Sequence, residues 1–241
     1  MKGRRFLWMS GLGLVLFGIA IWLLFHQELS SKRPIEEFHL SMELKELDRA
    51  QVDEVLEPYL GKSFWDVELN KIQADLVRLD WVSQAVVKRS WPDQLKISIV
   101  EQNPVARWGN DGLVNHKGEV FFPNNLQRFE HFVRLEGRIE NSAGLLAKLA
   151  EFQQKLNEIG WTVERLQETA NGVWEIHILD GPTLILDQQD QHHKFQRFLA
   201  AYPDLKNGFR KSAQVYDLRY SNGFAIKLKE AKASTLSDNN R

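Results

Sequence analysis

Seven histidines, thirty-two carboxylates and no cysteine are the side chains with which this sequence could do chemistry. The histidines, His26, His39, His116, His131, His177, His192 and His193, are scattered and make no HExxH or other metal-holding spacing. His192 and His193 are adjacent, which on a helix turns them about 100° apart, so they do not chelate together. The carboxylates read as solvated surface charge, since any two acids in a chain of this length can mimic a catalytic pair. There is no GxSxG elbow, P-loop or SxxK pair. Gly11-Leu12-Gly13 followed by Gly18 faintly resembles a phosphate loop, but it lies in an apolar run with no strand before it and no aqueous phosphate to meet. The expectation is a protein without catalytic residues, metal or cofactor. A membrane-anchored cell-wall enzyme is the weakest of the readings weighed.

The chemistry that remains is recognition by backbone and aromatic surface. Phe224–Leu228 reads as the last strand of the chain. A last strand often lies at a sheet edge, where its N–H and C=O groups can pair with an incoming strand. Tyr220 and Phe224 would supply aromatic contact, and Gly223 would admit a partner's backbone. The other reading makes Tyr220 and Phe224 ordinary core residues of a strand with neighbours on both sides. Lys227 and Lys229 are common guards of edge strands and favour neither.

The elements that must position this strand begin with Phe6–Phe25, twenty residues without a charge, long enough as a helix to cross about 30 Å of hydrocarbon. Lys2, Arg4 and Arg5 precede it, so the positive-inside rule keeps the N-terminus in the cytoplasm and sends the bulk outside. A cleaved signal peptide is the rival reading. The apolar run is longer than such peptides use, and His26–Ser31 offers no small-x-small cleavage site. The span has no GxxxG pair. Three of the 31 basic residues and none of the 32 acidic ones lie before it, so the remainder carries 28 minus 32, or −4, which argues against a nucleic acid or polyanionic partner. Without cysteine the exported part must be held by its cores, for which eight Trp and fourteen Phe provide.

After a polar linker, Ile35, Phe38 and Leu40 predict a short strand. Asp48 caps a helix carrying Val52, Val55, Leu56 and Tyr59, with Gly61 as its stop. A second helix presents Leu69, Ile72, Leu76 and Leu79 on one face. Ala85–Arg89 and Leu95–Val100 then form a hairpin turned at Ser90–Gln94. This strand-helix-helix-strand-strand order predicts a small α/β domain with both helices on one face of its sheet. Trp65, Trp81 and Trp91 read as core or turn-packing residues, with an exposed contact surface as the alternative.

Beyond Asn103 the texture becomes β-rich. Strands are expected at Val105–Trp108, Leu113–Asn115, Glu119–Phe122, Val133–Leu135, Thr162–Glu168, Val173–Leu179, Thr183–Leu186, Ala213–Leu218 and Phe224–Leu228. A helix capped by Asn141 or Ser142 carries Leu145, Leu149, Phe152, Leu156 and Ile159 and stops at Gly160. Another, capped by Asp190, carries Phe195, Phe198, Leu199 and Tyr202 and ends at Pro203.

Several stretches carry a family resemblance. Gly61-Lys62-Ser63-Phe64-Trp65-Asp66-Val67-Glu68-Leu69 resembles a segment of POTRA domains. Asp80-Trp81-Val82, Ala85–Leu95 (with Arg89-Ser90-Trp91-Pro92-Asp93), Val100–Trp108, Asn115–Gly118 and Tyr216-Asp217-Leu218-Arg219-Tyr220-Ser221-Asn222-Gly223 follow in order. Together they resemble the FtsQ/DivIB family of bacterial cell-division proteins. Asp80 stands where the family usually has proline, Gln102-Asn103-Pro104 departs from a common His-x-Pro, and Gln188 stands near where some members carry an arginine, which puts one partner contact in doubt.

The resemblance implies an α+β chain: a cytoplasmic tail at 1–5, a single N-terminal transmembrane helix at 6–25, a linker at 26–34, a small POTRA-type βααββ domain at 35–103, a larger mixed β-rich domain with two helices at 104–229, and a disordered tail at 230–241. It implies a single-pass inner-membrane divisome scaffold without enzymatic activity, N-terminus cytoplasmic and C-terminus periplasmic, at the septum. Its implied partners are FtsB and FtsL type coiled-coil proteins and others of the FtsK, FtsW and FtsI type. It favours the edge-strand reading, with Arg219, Tyr220, Asn222, Gly223, Phe224, Ala225, Ile226, Lys227 and Leu228 as the partner-binding residues. The alternative is a POTRA-bearing outer-membrane assembly or secretion factor. That reading is weakened because no series of membrane strands follows Leu228.

Overall fold

The computed structural model describes residues 17–22 and 33–229. Residues 17–22 are helical (α1). The rest of the expected span, the expected tail at 1–5, all but the end of the linker, and the expected disordered tail at 230–241 lie outside the described residues. Among the described residues no helix is long and apolar enough to cross a membrane. The chain divides into two compact units, one ending at Gln102 and the other starting at Asn103.

The first unit has the expected element order. Strand β1 (Glu37–Leu40) precedes helices α2 (Arg49–Leu56) and α3 (Leu69–Val77), followed by β2 (Val82–Ser90) and β3 (Gln94–Glu101). The sheet runs β1-β3-β2, with β1 parallel and β2 antiparallel to the central β3. Asp48 caps α2 by accepting the Ala50 N–H at 3.0 Å, and Gly61 takes the left-handed φ of +75° that the chain needs to leave the helical turn. Alternation sends Val82, Ala85 and Val87 of β2 and Leu95, Ile97 and Ile99 of β3 inward onto Val52, Leu56, Ile72 and Leu76 of the helices. The Gly61–Val67 segment and the Arg89–Gln94 turn are tied by one side chain. Arg89 donates to the carbonyls of Phe64 (2.9 Å), Trp65 (2.8 Å) and Val67 (2.9 Å). Of the three tryptophans, Trp81 packs on the core, whereas Trp65 and Trp91 are exposed. Of the expected core or turn-packing roles, the core role fails for these two. Trp65 instead lies edge-on to Phe64 with the Arg89 guanidinium 5.9 Å from its ring, and Trp91 lies under Arg33.

The second unit is a nine-stranded mixed sheet. Its strands are β4 (Pro104–Trp108), β5 (Gly112–Asn115), β6 (Val120–Phe121), β7 (Arg134–Glu136), β8 (Val163–Glu168), β9 (Trp174–Ile178), β10 (Thr183–Leu186), β11 (Ala213–Asp217) and β12 (Ala225–Leu228). They run in the order β12-β11-β10-β9-β8-β7-β4-β5-β6. Helices α4 (Ser142–Leu156) and α5 (Gln191–Ala201) pack on one face. Leu145, Phe152 and Leu156 of α4 and Phe195 and Phe198 of α5 enter the same core as Leu135, Leu166, Ile176, Leu184 and Tyr216 of the strands. A short helix α6 (Asn207–Ser212), not expected from the sequence, leads into β11.

Two expected caps behave differently. Asp190 adopts a left-handed φ of 56° and its carboxylate meets His193 instead of a helix N–H. Asn141 donates to Glu168, while Ser142 donates to the Gly118 carbonyl at 2.6 Å.

Candidate protein-binding edge

The sequence-derived site residues fall in one continuous segment, Arg219 to Leu228, comprising the β11–β12 connection and β12. Among the described residues strand β12 is the terminal strand of the sheet and pairs with β11 alone, with Val215, Tyr216 and Asp217 opposite Lys227, Ile226 and Ala225. The direction of its backbone groups follows from two flanking bonds. The Leu218 N–H donates away from β12 to Ile185 at 2.8 Å, and the Lys229 N–H donates inward to Ser212 at 2.7 Å. Main-chain groups alternate along a strand, so those of Ala225 and Lys227 engage β11 while those of Ile226 and Leu228 point outward from the sheet margin. Of the strand's side chains only Ile226 is half-buried; Ala225, Lys227 and Leu228 are exposed.

The side chains divide into a support and a surface. Phe224 and Ile226 pack on the core, and the Phe224 ring stands 5.3 Å from Phe198 of α5 and 6.0 Å from Tyr216. Phe224 therefore packs as the core reading expects, while lying in the edge segment. Tyr220 is core in neither sense, being 57% exposed. Burial and the neighbouring Tyr202 push the Tyr216 hydroxyl up to about 12, so beneath β12 it is a neutral group.

Residues Tyr220 to Ala225 surround a surface hollow of about 360 Å³. A Cβ placed on Gly223 would meet nothing within 4 Å, and Gly223 does not use a left-handed φ. Neither turn geometry nor internal packing requires glycine there. Arg219 is turned onto its own strand, where it forms a two-pronged pair with Asp217 (2.9 and 2.6 Å), and Asp217 also accepts the Arg219 N–H. The guanidinium holds the Asp217 carboxyl below its usual range.

One residue that positions this segment gave no signal in the sequence. Arg197, on α5, donates to the Ser221 carbonyl at 2.6 Å and to the Tyr220 carbonyl at 3.1 Å. Gln188, singled out as a departure, lies over Gly172 rather than among the edge residues. Among the described residues no three His, Asp or Glu side chains gather as a metal-holding group.

Residues 33–102 match the family model described as POTRA domain, FtsQ-type, and residues 106–219 match that of Cell division protein FtsQ/DivIB, C-terminal. The second match ends at Arg219, directly before the hollow. The chain is 31% identical over 193 residues to Cell division protein FtsQ of Xanthomonas campestris pv. campestris, covering 80% of this chain and 69% of the relative. It is 30% identical over 227 residues to Cell division protein FtsQ of Shewanella oneidensis, covering 92% and 86%. For the Cell division protein FtsQ of Allochromatium vinosum the identity is 30% over 214 residues, covering 89% and 85%. With one match on each compact unit and relatives aligned across both, the chain belongs to the FtsQ/DivIB family of cell division proteins.

Proposed function

We propose that this protein is a non-enzymatic scaffold of the division septum, held in the inner membrane by Phe6–Phe25, that captures an FtsB/FtsL type coiled-coil partner by strand addition on β12. The observation that carries the reading is the outward-facing, unpaired margin of β12 beside the hollow at Tyr220–Ala225. A strand laid against Ile226 and Leu228 gains main-chain hydrogen bonds, and Tyr220 offers an exposed aromatic anchor. Gly223 adds support, because nothing among the described residues explains a glycine there. Arg219, Asn222, Ala225, Lys227 and Leu228 complete the surface. Proteins of the FtsK, FtsW and FtsI type would engage other parts of the chain. Confinement of partner and scaffold to one membrane raises effective concentration, so a short strand contact is sufficient.

The test is capture of a purified FtsB/FtsL type pair by the full chain and by its Tyr220→Ala variant, with thermal unfolding measured in parallel. The expected result is at least a tenfold loss of capture, the scale of one interface anchor, at unchanged stability. Equal capture would remove the β12 reading. Topology is tested separately with a reporter fused after Leu228, which should be active outside the cytoplasm only.

A further inference from the structure

A second binding surface lies on the first unit, at the other end of the chain from β12. Among the described residues strand β1 is a margin of its sheet, paired with β3 only. At Ile35 the outer side is taken, since its N–H donates to Lys62 (2.9 Å) and its carbonyl accepts from Gly61 (3.0 Å). Glu36 turns inward, its N–H donating to Asp93 at 3.2 Å. Ser41 turns inward as well, its N–H donating to Ile97 at 3.0 Å, so by alternation within β1 Phe38 and Leu40 direct main-chain groups outward, past the point where the 61–62 segment has ended.

Beside this open stretch runs a groove of about 500 Å³ between β1 and α2. Its apolar floor is Phe38, Leu56 and Leu60, the last 46% exposed. Its wall is the stripe Ala50, Asp53, Glu54 and Glu57, at the i, i+3, i+4, i+7 spacing that puts residues on one helix face. This stripe flanks the one carrying Val52 and Leu56 into the core. Three carboxylates thus border an apolar slot, and the cation bound to them is Arg49, which pairs with Asp53 at 3.0 Å in an exposed i, i+4 bridge. Glu54 and Glu57 are exposed.

We infer that the β1–α2 groove is a docking site for an extended segment of another protein that alternates basic and apolar residues. Such a segment would add to the outward groups of Phe38 and Leu40. Its side chains directed toward α2 would set an apolar residue on Phe38 and Leu60 and cations beside Glu54 and Glu57. Charge decides the occupant: an acidic or neutral strand could use the same edge but would leave the carboxylates without counter-ions. The site is separate from β12 and does not rest on the reading of that strand.

The test titrates the full chain with a short blocked peptide of alternating lysine and valine, its glutamate-valine counterpart, and a lysine-valine version N-methylated at alternate residues. Binding is read by calorimetry at two salt concentrations. The lysine-valine peptide should bind best, weaken with salt, and lose about tenfold both on N-methylation and in the Glu54→Lys/Glu57→Lys variant. Because both substituted residues are exposed, that variant should unfold at the same temperature and capture the FtsB/FtsL type pair normally. Equal binding of the two peptide charges, or indifference to N-methylation, would overturn the proposal. So would a peptide-independent change of oligomeric state in the variant, which would assign the groove to a second copy of the chain.

Discussion

Arg197 and Ser221 are joined across the gap between helix α5 and the β11–β12 connection, guanidinium to carbonyl at 2.6 Å, with a second bond to Tyr220 at 3.1 Å. The same helix sends Phe198, one residue on, beneath Phe224. Helix α5 therefore fixes the segment from two sides, by its carbonyls and by its ring. Arg89 does the equivalent in the first unit, where it gathers three carbonyls of the 64–67 segment. In both places a guanidinium with several donors holds a loop that has no ladder of its own.

Arg197→Ala should therefore loosen the segment that carries Tyr220 without unfolding the sheet. The cost in global stability should be about 1 kcal/mol, because the bonds are solvent-exposed. Partner association should slow more than dissociation quickens, since the free segment must first be ordered. Arg197→Lys, a point charge without the fork, should restore only part of the rate. Rates measured by surface capture for the wild type and both variants check this, and unchanged association would deny Arg197 a positioning role.

Gly118 predicts a larger effect on stability. Its φ is +83°, and a Cβ there would fall 2.4 Å from the Ala143 Cα and 2.6 Å from the Ala143 Cβ, at the start of α4. Its carbonyl also accepts the buried Ser142 hydroxyl. Gly118→Ala adds strain and a collision with backbone together, and should cost about 2–3 kcal/mol in chemical denaturation. Ser142→Ala, which removes the donor alone, should cost about 1 kcal/mol.

The strands and helices of both units are legible in the sequence wherever one face is buried. Leu145, Leu149, Phe152 and Leu156 mark α4 by helical spacing, and the alternation of Leu95, Ile97 and Ile99 marks β3. Helix α6 escapes such reading, because six residues beginning Asn207-Gly208 bury no residue and show no period. Sheet order escapes as well. That β7 runs parallel between β4 and β8 depends on long crossovers and leaves no trace in any one strand. Of the candidate site, the terminal strand and its aromatic entry are readable from position and residue type. Its supports are not, since Arg197 is spaced like any solvated arginine, and the packing of Phe224 appears only once α5 lies beneath it.

His177 gives a pH dependence whose sign can be worked out. On the face of the sheet away from α4 and α5 it meets Arg165 (3.0 Å) and Thr183 (3.0 Å), with Glu175 at 3.6 Å, and Glu136 and Glu164 also act on it. Burial first, and then the Arg165 charge, lower its pKa below the ordinary value. The unfolded chain therefore takes up this proton first as pH falls. Stability should decline from the ordinary histidine value, about 6.5, down to the lowered native one. His177→Gln should flatten that decline while leaving stability above neutrality nearly unchanged. Denaturation midpoints measured between neutral and mildly acidic pH for both chains check this, and parallel curves would exclude His177 as the cause.

The margin of β12 can be tested on its backbone alone. Leu228 directs its N–H away from β11, because Lys229 and, by alternation, Lys227 direct theirs toward it. Proline at an outward position of an edge strand removes a donor that the sheet does not use. Leu228→Pro should therefore leave the native unfolding transition within about 1 kcal/mol and yet weaken capture of an added strand, which loses one main-chain bond and meets a ring at the edge. Lys227→Pro is the matched control, since it removes a donor to β11 and should cost about 3 kcal/mol or more. If Leu228→Pro captures the FtsB/FtsL type pair as the wild type does, the partner does not pair with this strand, and Tyr220 would have to act through side-chain contact alone.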